Sequence, residues 1–150
     1  MEKEFVSYEQ ALALKELEFT EPCFAYYCIN NTENKLFYDI DSDDGELTAL
    51  NQNQFYHNNL SEVGRISSPL KQQAFKWIRE KYKYYFWIEP CSQHKFFHFT
   101  ISCSPSSFEY WTIDESKPNS GALSSYLEAE NEMLNKLVEL AKKYGIFGEL

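Results

Sequence analysis

Long apolar runs are missing from this sequence. No stretch approaches the roughly 18 residues that a membrane span requires, and Met1-Glu2-Lys3-Glu4-Phe5 has neither the basic head nor the apolar core of a signal peptide. The expectation is a cytoplasmic protein with no membrane partner. Glycine is scarce, at 5 in 150 residues. No Gly-rich run leads into a Lys-Ser or Lys-Thr pair and there is no G-x-G-x-x-G, so the usual nucleotide loops are excluded. H-E-x-x-H and the G-x-S-x-G elbow are missing as well. No motif asks for a cofactor, and no complete catalytic set is present. Basic charge is also short, with 14 Lys plus Arg against 23 acids and a net charge of −9. Phosphate binding depends on a surplus of cations, so a general nucleic-acid binder is disfavoured. The four cysteines (Cys23, Cys28, Cys91, Cys103) permit three disulfide pairings. Without an export signal, free buried thiols are the expectation.

Aromatic side chains are abundant instead: 12 Phe, 11 Tyr and 3 Trp. A chain of this length buries roughly 70% of the surface it exposes when unfolded, enough for one domain with a real core. The charge is uneven along it. Arg65, Lys71, Lys76, Arg79, Lys81 and Lys83 fall within 65–83, where Glu80 is the only acid, so that segment carries +5 and the remainder −14. An acidic body with one basic element can steer a partner, although a solvated helix face accounts for the same pattern.

Ser7 with Gln10 forms a capping box that opens a helix over 8–18, with Tyr8, Ala11, Leu12, Leu14 and Leu17 on its apolar side and Pro22 beyond its end. Cys23 to Ile29 reads as a buried strand and Lys35 to Ile40 as the returning strand of a hairpin. Residues 41–45 and 51–59 have loop composition. Ser68-Pro69 signals a helix start, and Leu70, Ala74, Trp77, Ile78 and Tyr82 recur on one face of that helix. Lys76, Arg79 and Lys83 fall on the other face. Strands are predicted over 84–88, 95–103 and 108–113. In the middle one Phe97, Phe99 and Ile101 face one way and His98, Thr100 and Ser102 the other, which suits a sheet with one helix-covered face and one partly wet face. Ser125 with Glu128 caps a long final helix to Tyr144, with Tyr126, Ala129, Met133, Leu134, Leu137, Val138, Leu140 and Ala141 as its buried stripe and Gly145 as its terminator. The predicted order is α-β-β-α-β-β-β-α. Strands not alternated one-for-one with helices predict a single α+β domain, an antiparallel or mixed sheet of about five strands packed against three helices.

Three constellations bear on chemistry. Cys91, His94, His98 and Cys103 have knuckle-like spacing, but on a strand His94 and His98 lie about 13 Å apart, at ~3.3 Å per residue, and Cys103 faces away. Asp39, Asp41, Asp43, Asp44 and Glu46 suggest a calcium loop, yet its sixth position is Asp44 rather than glycine and its twelfth is Leu50 rather than glutamate. No metal site is therefore assigned. The segment from Phe75 to Trp87 interleaves bases with aromatics as a single-strand binder does, but helical and then strand spacing places those rings in a core.

Three blocks also carry a resemblance. Tyr8-Glu9-Gln10-Ala11-Leu12-Ala13-Leu14-Lys15-Glu16-Leu17 with Glu21-Pro22-Cys23, Ile66-Ser67-Ser68-Pro69 with Gln73-Ala74-Phe75-Lys76-Trp77-Ile78-Arg79-Glu80-Lys81-Tyr82, and Glu128-Ala129 with Leu134-Asn135-Lys136-Leu137 resemble uncharacterised proteins encoded by bacteriophages and prophages of Bacteroides-type and related bacteria. The blocks cover about a third of the chain. Glu18 stands where that group is associated with glycine, and the intervening strands are not matched. The resemblance implies a host bacterial cytoplasm and a small accessory protein acting on a host component, and it transfers no catalytic residue.

Two readings follow. In the first, the chain is a non-enzymatic interaction protein that binds a host protein through Lys76, Arg79 and Lys83, with antagonism of a host defence or regulatory protein as its effect. In the second, it is a ligand-binding domain or small enzyme whose aromatic pocket is lined by His94, His98 and Tyr110. Mimicry of nucleic acid by the acidic surface is a further alternative.

Overall fold

The computed structural model describes residues 2–29, 33–38, 64–90, 97–102 and 125–146. They form an α+β fold of three α-helices and five antiparallel strands. In chain order these are α1 (Tyr8–Glu16), β1 (Ala25–Cys28), β2 (Leu36–Tyr38), β3 (Arg65–Ser68), α2 (Lys71–Tyr82), β4 (Tyr85–Pro90), β5 (Phe97–Ser102) and α3 (Tyr126–Tyr144). The chain divides into two compact units, Met1–Ala74 and Phe75–Leu150.

In the first unit, β1 is the central strand of a sheet ordered β2-β1-β3. Alternation sorts most of its residues, with buried Ser67 and half-buried Tyr38 as the exceptions. Ala25, Tyr27, Leu36, Ile66 and Ser68 are buried on one face, while Tyr26, Phe37 and Arg65 are half-buried on the other. Tyr8 of α1 meets Tyr27 edge-on, with centroids 5.6 Å apart. Two side chains of the buried face, Tyr27 and Ser68, donate to the Val6 carbonyl at 2.9 and 3.3 Å. The predicted capping box is present: Ser7 Oγ accepts from Gln10 N, and Ser7 N donates to Gln10 Oε1.

Ser68 departs from its predicted role. Instead of capping α2 it pairs with Ala25 as the last residue of β3, and the helix opens later, at Lys71. β3 itself was not anticipated, since Arg-Ile-Ser-Ser has one apolar residue and a cap-like ending. Its pairing with β1 overrides the local signal. The predicted strand over 108–113 lies outside the described residues.

In the second unit, β4 and β5 form an antiparallel pair with Tyr85 opposite Ser102 and Pro90 opposite Phe97. Phe86, Phe99 and Ile101 are buried on one face. α3 buries Ala129, Met133, Leu134, Leu137, Val138, Leu140 and Ala141, each large apolar residue worth about 1.5–3 kcal/mol when removed from water. Tyr126, predicted in that stripe, is instead exposed and touches Phe97 edge-on. Ser125 Oγ accepts from Glu128 N at the start of α3, and Gly145, at φ 66°, ends it with its N–H donating to the Ala141 carbonyl. Tyr84 Oη donates to the Gly145 carbonyl at 3.1 Å.

Candidate functional site

α2 sorts its residues by face. Ala74, Trp77, Ile78 and Tyr82 are buried, whereas Lys76 and Arg79, three residues apart, are exposed, and Lys83, predicted on the same helix face, is exposed just past the helix end instead. The three cations are differently held. The Arg79 guanidinium lies 4.6 Å from the Phe86 centroid, and Phe86 itself meets Phe75 at 5.4 Å. Stacking on a ring fixes the plane of the guanidinium and leaves its edge donors for a carboxylate. Lys76 approaches Glu80, one turn on, at 3.9 Å with both side chains largely exposed, so the pairing is weak. Lys83 follows the last residue of α2 with φ 62°, and its N–H donates to the Arg79 carbonyl. That left-handed terminal position favours glycine. A lysine there puts a cation beside the negative end of the helix dipole at the cost of a strained backbone.

Of the residues assigned to an aromatic pocket, His98 lies on β5, and His94 and Tyr110 fall outside the described residues, as do Cys91, Cys103 and the acidic 39–46 segment. His98 Nε2 and Glu89 Oε1 are 2.9 Å apart across the ribbon. Thr100 and Ser102, expected on a partly wet face with His98, are buried. Tyr85 and Trp87, on the strand opposite, are 51% and 44% exposed. Sequence periodicity misses these two rings because it assigns aromatics on a short strand to the core.

Cys23 has the opposite of nucleophilic character. Burial pushes its thiol up to about 12, with a lowering contribution from a Ser67 hydrogen bond and a raising one from Glu21. Its Sγ donates to the Glu21 carbonyl. Among the described residues, no group of three or more His, Cys, Asp or Glu side chains is placed to hold a metal ion, and no helix is long and apolar enough to cross a membrane. An open polar depression of about 330 Å³ beside β2 is lined by Glu2, Tyr27, Glu33, Asn34, Lys35 and Leu36. No family model, curated protein or solved structure matches the chain.

Proposed function

We propose that the protein is a small accessory module of phage or prophage type that works by binding a host protein non-enzymatically through the exposed face of α2. The observation that carries this reading is the exposure of Lys76 and Arg79 along one edge of α2 and of Lys83 just past its end, with Arg79 stacked on Phe86. The complementary partner is a carboxylate-rich protein patch, since exposed cations attract carboxylates, and the −14 on the rest of the chain confines that attraction to this edge. Cys23, the buried thiol of the first unit, is held protonated and adds no nucleophile to the picture. Antagonism of a host defence or regulatory protein is the effect such a module has when its target uses the same acidic surface.

The test is affinity purification from the bacterial host at low and high salt, with the wild-type chain beside Lys76→Glu/Lys83→Glu. A protein recovered by the wild type at low salt, and lost both at high salt and in the variant, supports the reading. Recovery that ignores both changes removes α2 as the interface.

A further inference from the structure

We draw no further inference here: the strongest candidate, the open polar depression beside β2 lined by Glu2, Tyr27, Glu33, Asn34, Lys35 and Leu36, mixes two carboxylates with an ammonium, has its Tyr27 hydroxyl already donating to the Val6 carbonyl, and nothing in the structure shows what occupies it.

Discussion

Arg79 lies over the ring of Phe86, its guanidinium carbon 4.6 Å from the centroid, so the exposed edge of α2 and the buried face of β4 share one contact. This makes Arg79 a cation of the proposed interface whose removal also touches stability. An exposed cation–π contact is worth about 0.5–1 kcal/mol, and a partly desolvated one approaches 2. Arg79→Ala is expected to lower the unfolding free energy by about 1 kcal/mol in urea denaturation, whereas Lys76→Ala stays within about 0.5 kcal/mol of the wild type. Equal effects of the two substitutions would show that the stack contributes nothing.

Glu18 is the second strained helix terminus. After Leu17, it adopts φ 64°, its N–H donates to the Lys15 carbonyl at 2.9 Å, and Phe19 N donates to the Leu14 carbonyl at 3.0 Å. These are the two hydrogen bonds of a Schellman motif, closed by burial of both Leu14 and Phe19. A glutamate in this place bears a left-handed penalty of about 1–2 kcal/mol and sits at the negative end of the helix. Glu18→Gly gives back part of this strain and loses part to the greater freedom of the unfolded chain, for a net gain of about 0.5–1 kcal/mol in calorimetry or urea denaturation. A destabilised variant would show that the Glu18 side chain makes a contact worth more than the strain.

The buried thiol of Cys23 ties stability to alkaline pH. An unfolded thiol ionises from an ordinary value of 9.0, while burial holds the folded one up to about 12. The folded state therefore keeps its proton where the unfolded state loses it. The resulting stability is complete below about pH 9 and falls as pH rises toward 12, by about 1.4 kcal/mol per unit at most. Tyr27, raised chiefly by burial with Glu9 and Glu2 adding to the effect, acts in the same direction above its ordinary value of 10.0. Urea midpoints of wild type and Cys23→Ala between about pH 8 and 10.5 are expected to diverge in slope, the variant being flatter. Parallel slopes would contradict the burial of this thiol. Peptide mapping after brief alkylation at neutral pH is expected to find the Cys23 peptide unmodified and that of half-buried Cys28 modified.

The helix caps carry a simpler expectation. Ser7 satisfies Gln10 N and is itself satisfied by the Gln10 side chain, and Ser125 accepts from Glu128 N. Ser7→Ala and Ser125→Ala are each expected to cost about 1 kcal/mol, and Ser7→Ala combined with Gln10→Ala to cost less than the sum of the two single changes, because the box is reciprocal. Strict additivity in that cycle would mean the two hydrogen bonds act separately.

Those caps also show what one sequence reveals. Ser7, Ser125 and Gly145 act within a few residues of themselves, and each behaves as its local chemistry dictates. The buried stripe of α2 is likewise a matter of spacing within one helix. Ser68 is different, because whether it caps a helix or ends a strand depends on Ala25, more than forty residues earlier, and pairing at that distance leaves no local mark. The exposure of Trp87 and Tyr85 was hidden for a related reason: a strand shows which residues share a face but not which face is covered. Of the candidate site, Lys76 and Arg79 were legible as helix-face positions, whereas the stacking of Arg79 on Phe86 and the left-handed backbone that takes Lys83 out of the helix belong to the folded chain alone.

The claim on which the functional account rests is that the α2 edge is an electrostatic docking surface, and the most direct measurement is the affinity of the partner captured with the wild-type chain, followed by calorimetry as salt is raised. The account predicts a marked loss of affinity between about 0.05 and 0.5 M salt, and a flattened salt dependence in Lys76→Glu/Lys83→Glu, whose fold is unchanged by circular dichroism. An affinity that is constant with salt and equal in wild type and variant would contradict it.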